Sequence, residues 1–376
     1  MGVSPMAYEL IWVFIMEAGI VGLPFIGKSS LFQALTSLIT DSAASATKLN
    51  VGVVNVPDRR LTTLSQYIET KKIVPATLQV VDLVGLVSGA STGEGMGNKF
   101  LAHIRNVDAI LHVVRCFEDP SIPHVNGSVD PLRDIEQVET ELMLADLEVV
   151  ENSIRNAQRK ARTGEREAKL RLELMQRCST QLSEGRALRH LLADLSDEED
   201  RMLRSFAMLT AKPVLYVANV DEADSSGDGE HVNQVEQYAH QQGGKVVALC
   251  AKLEAELAEL EETEREEMLE GLGLAEPALN VLARATYELL GLQCFFTIGP
   301  KEIRAWTVTV GARAPQAAGV IHSDFERGFI RVEVHTVADL EKYKTIAAIK
   351  AAGKLRVEGK EYVVKEGDAC HFLFNV

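Results

Sequence analysis

The chain has 376 residues, 46% hydrophobic and 25% charged, enough for two or three domains with their own cores. A net charge of −15 excludes a protein that coats DNA or RNA through bulk charge, while leaving room for a local basic patch. Five cysteines (Cys116, Cys178, Cys250, Cys294 and Cys370) are scattered without a CxxC pair, which reads as reduced, cytoplasmic and free of a zinc site.

The apolar run LIWVFIM ending at Met16 is too short to span a bilayer and has no basic segment before it. Residues 1–15 therefore read as an extension, with a small membrane or partner anchor as the alternative; no stable membrane association is expected. AGIVGL reads as a strand, and SLFQALTSLI follows with Leu31, Leu35 and Leu38 at helical spacing. Between them, GLPFIGKSS (Gly22 to Ser30) fits G-x-x-x-x-G-K-[ST]. In that strand–loop–helix context the pattern predicts a phosphate-binding loop. Gly22 and Gly27 allow the tight curl, and the N–H groups from Phe25, Ile26 and Gly27 to Ser30 face the anion. Lys28 reaches the outer phosphates and the Ser29 hydroxyl ligates Mg²⁺.

Further strands are predicted at 51–56, 76–85, 107–117, 213–220 and 245–251, nearly continuous apolar runs separated by helices. That pattern points to an α/β protein with a largely parallel sheet covered on both faces. From about Pro131 to Leu209 strand signals vanish, and helical spacing predicts an antiparallel hairpin interrupted near Gly164. Its basic residues (Arg155, Arg159, Lys160, Arg162, Arg166, Lys169, Arg171 and Arg177) read either as a solvated face or as a contact for RNA or another anion. Residues 256–273 read as one acidic helix. Beyond Gly291 short strands with turns at Gly359 and Gly367 predict a separate small β-rich domain.

Asp82-Leu83-Val84-Gly85 ends the second predicted strand after the loop. It offers a carboxylate near Mg²⁺ and the Gly85 N–H to the terminal phosphate, as GTPase-type enzymes do. Asn219-Val220-Asp221-Glu222 falls where GTPases carry N-K-x-D. Glu222 is a methylene longer than the guanine-reading Asp, and Val220 replaces the lysine that packs over the base. Both changes loosen a guanine clamp and lessen the disadvantage of ATP. Cys250 and Ala251 open the loop where a further base contact is expected.

The stretches GIVGLP, GKSSLFQALT, NVGVVNVPDRRL, VDLVGLVSGASTGEGMGNKFL, HVVRCFED, ELMLADLE, YVANVDE, EIRAWTVTVGARAPQAAGVIHSDFERGFIR and FLFNV together resemble the YchF subfamily of Obg-type P-loop NTPases, from residue 18 to the end. The resemblance implies an OBG-type G domain over 16–291 with the helical hairpin inserted at 131–209. It also implies a ubiquitin-like (β-grasp) TGS domain over 292–376. The implied activity is slow ATP hydrolysis with Mg²⁺, ATP being preferred over or comparable to GTP, and the implied partner is the ribosome or its large subunit rather than DNA. A nucleotide-dependent binding module with little hydrolysis, and a GTP-preferring enzyme, are the alternatives.

Three positions need particular notice within that resemblance. Leu86 stands where Ras-like enzymes carry a water-orienting glutamine, and the family assigns the role to a histidine matched here by His112. The family's switch I threonine aligns with Ala46, with Thr47 beside it as the substitute metal ligand. The family's P-loop asparagine, whose oxygen helps to hold K⁺ in related enzymes, is Phe25 here, so no K⁺ stimulation is expected.

Overall fold

The computed structural model describes residues 16–37, 50–83, 96–161 and 165–375. The expectations for residues 1–15, for Gly164 and Arg162, for Thr47 and for Gly85 lie outside them. The chain opens with β1 (Glu17–Val21), α1 (Lys28–Ser37), β2 (Asn50–Val56), α2 (Arg59–Tyr67), β3 (Ile73–Val74) and β4 (Ala76–Asp82). It continues with α3 (Met96–Asn106), β5 (Ala109–Arg115) and the insertion helices α4 (Pro131–Ala161), α5 (Arg166–Ser183) and α6 (Asp197–Arg204). Next come β6 (Val214–Asn219), α7 (Glu230–Gln241), β7 (Lys245–Leu249), α8 (Ala251–Glu259), α9 (Glu262–Gly271) and α10 (Ala278–Leu289). The last stretch holds β8 (Leu292–Ile298), β9 (Ile303–Thr309), α11 (Ala314–Ile321), α12 (Ser323–Arg327), β10 (Phe329–Thr336), α13 (Val337–Tyr343), α14 (Ile346–Ala351), β11 (Arg356–Glu358) and β12 (Asp368–Phe374).

Two compact units divide these elements: Glu17–Val54 with Gln79–Leu290, and Asn55–Leu78 with the chain from Gly291 onward. In the first, the sheet order is β2-β4-β1-β5-β6-β7, parallel from β4 to β7. Every residue of β5 and β6 is buried, as strands apolar on both faces require. The connections leave β1 to opposite sides, so the loop after β1 lies at the topological switch point where ligands of open α/β sheets bind.

The insertion is the expected hairpin. α4 and α5 pack through Val150, Leu174, Met175, Cys178 and Leu182, with Leu203 of α6 closing the end of this core. Among the described residues, three of the basic ones are ion-paired, Arg155 with Glu151 at 3.9 Å among them. Arg177 pairs with Glu199 of α6 at 2.7 Å and Arg171 with Glu167 at 3.0 Å. Arg155, Arg159, Lys160, Arg166 and Lys169 remain exposed near the tip.

In the second unit the sheet order is β11-β10-β12-β8-β9-β3. The first and last strands of the C-terminal stretch, β8 and β12, pair in parallel at the centre, the arrangement of a β-grasp. Phe295, Val332, Val334 and Phe372 pack against Ala314, Ala317 and Ala318 of α11.

Two sequence expectations differ from the structure here. The unit includes residues 55–78, which the sequence reading keeps with the G domain, because β3 adds in parallel to β9 (Ile73↔Ile303, Val74↔Arg304). A two-residue strand carries no periodicity to read. The single acidic helix at 256–273 is two helices, because Leu260 and Glu261 are both extended between α8 and α9.

Candidate functional site at the loop after β1

Ala18, Ile20 and Val21 are fully buried, so β1 delivers the chain to the C-terminal edge of the sheet in a fixed position. There Gly22 has φ +151°, and a Cβ on it would sit 2.6 Å from the Val113 carbonyl oxygen. Gly27 has φ +93°, and a Cβ there would overlap the Asn219 carboxamide. Both positions thus need glycine for conformation and for space. α1 begins at Lys28, with Ser29 and Ser30 exposed on its first turn and its free N–H groups at the loop.

Lys28 is 7% exposed and its Nζ donates to the Leu23 carbonyl at 2.5 Å. Burial pushes its ammonium down to about 8, against the opposing charge of Asp82 at the end of β4. Asp82 and Ser29 supply oxygen donors only, the donor set that suits a hard Mg²⁺ ion shared with phosphate oxygens and water.

Asn219 is the brace of the site. Its Nδ2 donates to the Ile26 carbonyl at 2.9 Å, and its Oδ1 accepts from the Ala251 N–H at 3.0 Å. One carboxamide at the end of β6 therefore ties the phosphate loop to the start of α8.

The neighbouring positions divide by exposure. The Val220 side chain is 2% exposed, with its N–H donating to the Leu249 carbonyl at 2.9 Å. Cys250 and Ala251 are buried too, so what these three offer outward is backbone. The half-exposed Glu222 carboxylate is drawn to Lys252 Nζ at 2.5 Å. Asp221 faces its own backbone, accepting from the N–H groups of Ala223 and Asp224. Phe25 is 61% exposed and has φ +63°, a left-handed conformation that a bulky side chain rarely adopts.

His112 is 3% exposed on β5, in register with Val21 of β1 and Tyr216 of β6. It lines a narrow gap beneath the loop with Leu23, Ile26, Arg115 and Asp134. Burial pushes the imidazole down to about 4, while Glu139 opposes the shift and Arg189 and Lys28 add to it. The ring is neutral at pH 7.

Sequence reasoning missed several residues around this site. Arg115 is 2% exposed and donates to the carbonyls of Phe117, Asp119 and Ile122, shaping the loop after β5. Its partners are backbone atoms, which leave no trace in residue spacing. Lys252 could have been flagged as a cation beside the base-reading loop. Glu139, Tyr216 and Arg189 are brought together only by folding.

A family model for the C-terminal domain of YchF GTPases, described as a protein of unknown function (DUF933), matches residues 292–375. A second, described as 50S ribosome-binding GTPase, matches residues 17–153. The chain is 49% identical over 363 residues to the ribosome-binding ATPase YchF of Escherichia coli O157:H7, covering 96% of this chain and 99% of that one. It is 47% identical over 367 residues to the protein of the same name in Bacillus subtilis (strain 168), covering 96% and 100%. The solved structure of the Schizosaccharomyces pombe YchF GTPase matches at a TM-score of 0.84 and 36% identity, covering 95% of this chain and 97% of that one.

Proposed function

The chain belongs to the YchF family of P-loop NTPases, and from that premise we propose that it is a slow Mg²⁺-dependent ATPase that associates with ribosomes. The observation that carries the base preference is the pairing of Glu222 with Lys252, beside a buried Val220. A guanine clamp needs an unengaged carboxylate and a lysine stem over the base, and neither is offered here.

In this reading the loop N–H groups from Phe25, Ile26 and Gly27 to Ser30 cradle the phosphates, and Lys28 leaves Leu23 to reach the outer ones. Ser29 and Asp82 would hold Mg²⁺, which supplies charge neutralisation on the phosphate oxygens. Thr47 and the Gly85 N–H are the proposed switch contributions to the metal and the terminal phosphate. Asn219 keeps the phosphate and base loops in register. The backbone of Val220, Cys250 and Ala251, together with Glu222, forms the rim on which adenine rests.

His112 is the residue proposed to orient the attacking water, since a neutral imidazole can accept a hydrogen bond from it. It must first approach the phosphates past Leu23 and Ile26. That burial favours slow turnover, and favours as a second reading a binding module that hardly hydrolyses. A multiple-turnover assay with Lys28→Ala as the inactive control separates the two. Release of phosphate by the wild type at the Lys28→Ala level would leave only the binding module.

Ribosome association is supported by the ribosome-binding relatives and by the exposed basic residues at the insertion tip. Among the described residues no helix is long and apolar enough to cross a membrane.

A further inference from the structure

The buried face that carries His112 also carries a charged network that nucleotide binding does not explain. Tyr216 stands beside His112 in the β5–β6 register, with ring centroids 5.6 Å apart. Its hydroxyl donates to Glu139 Oε1 at 2.6 Å, and the same oxygen accepts from Arg189 at 2.6 Å. Glu139 is 7% exposed and Tyr216 1%. Removing such charges from water costs several kcal/mol, and apolar residues would pack the same space as well or better.

The origin of the charges matters. Glu139 lies on α4, and Arg189 on the short turn Leu188–His190 that follows α5. Both come from the inserted helical segment, whereas Tyr216 and His112 come from the sheet. A cleft of about 820 Å³ opens where the base of the insertion meets the N-terminal ends of β5, β6 and β7, and Arg189, His190, Lys212 and Tyr216 line it. The Tyr216–Glu139 bond is the one contact of this chain that joins the insertion to the sheet, so a shift of the insertion along this cleft acts on that bond.

We propose that the Arg189–Glu139–Tyr216 chain positions His112 against the phosphate loop and ties the rate of hydrolysis to the seating of the helical insertion. This rests on the reading of His112 as the group that orients water. Tyr216 is a positioning residue: its ring lies beside the imidazole at a tilt of 37°, and its hydroxyl is anchored to the insertion through Glu139. Tyr238 of α7 meets the Tyr216 ring edge-on at 5.8 Å and fixes its other side.

The charged groups facing His112 are Glu139 of α4, Arg189 and Lys28, with Asp134 of α4 and Arg115 of β5 across the narrow gap. Of these, Glu139 makes the ring more basic, while Arg189 and Lys28 make it less so. Removing Glu139 or Arg189 therefore moves the ring in opposite directions, a signature that loss of packing alone does not produce.

The test is single-turnover ATP hydrolysis by the full chain between pH 4.5 and 8, with nucleotide affinity measured alongside. The variants are His112→Ala, Tyr216→Phe, Glu139→Gln, Arg189→Met and Arg189→Lys. Tyr216→Phe is expected to slow hydrolysis at least five-fold with ATP affinity unchanged. With the wild-type acid limb near pH 4, just below this range, Arg189→Met should bring the limb into it and Arg189→Lys return it toward wild type, while Glu139→Gln, whose limb moves lower still, should stay flat down to pH 4.5. Should Glu139→Gln fail to fold, the Tyr216→Phe rate and the arginine pair still decide. Wild-type rates and profiles in these variants, with His112→Ala inactive, would overturn the inference while sparing the role of His112. Wild-type turnover in His112→Ala would overturn both.

Discussion

Lys252 Nζ lies 2.5 Å from the Glu222 carboxylate, at the position where a guanine-reading enzyme keeps its acidic side chain unengaged. Both side chains are largely exposed, so the pair adds little stability, and its consequence is for base choice. Lys252→Ala is expected to free the carboxylate for the paired N–H donors of guanine. The ratio of ATP to GTP affinity should then move several-fold toward GTP, as read by calorimetric titration. An unchanged ratio would show that Lys252 has no part in base choice.

Phe25 occupies a left-handed conformation that asparagine adopts readily, at a cost for the bulky side chain of roughly 1–2 kcal/mol. Phe25→Asn is expected to raise the midpoint of thermal unfolding by a few degrees. It should not create a K⁺ dependence, because the switch I segment that would complete a cation site differs from the family pattern as well. Turnover in matched KCl and NaCl checks the second point for wild type and variant alike.

Lys28 gives nucleotide binding a pH dependence whose sign is determined. In the nucleotide-free chain burial holds its ammonium at about 8. Phosphate raises it again, so above that pH complex formation takes up a proton. ATP affinity should be flat across the neutral range and fall as the pH rises through about 8. Titration in two buffers of different ionisation enthalpy would detect the proton uptake, and its absence at pH 9 would contradict the assignment.

Arg159, Lys160 and Lys169 are exposed near the tip of the insertion in a chain of net charge −15. Replacing the three with alanine should weaken co-sedimentation with ribosomes, most clearly at low salt, because phosphate contacts release counterions. Pelleting equal to wild type across a salt series would reduce the cluster to a solvated face.

The phosphate loop was legible in the sequence because its chemistry is local: strand, two glycines, lysine and helix lie within one short run. The parallel sheet was legible for the same reason, since β5 and β6 are apolar on both faces. Asn219 was found by position, but its work of holding Ile26 to Ala251 depends on a contact made between distant stretches. The short strand at Ile73–Val74 has too few residues to show alternation, so the division of the chain at 55–78 was not readable. Glu139, Arg189 and Tyr216 looked like ordinary helix charges and a core aromatic. Only the fold shows one carboxylate oxygen receiving both other groups.

Calorimetric titration of the full chain with ATP and with GTP at matched Mg²⁺ separates an ATP-preferring site from a guanine-reading one. ATP is expected to bind at least as tightly as GTP, and Lys28→Ala to abolish both heats. GTP binding ten-fold tighter than ATP, roughly 1.4 kcal/mol, would contradict the ATP preference.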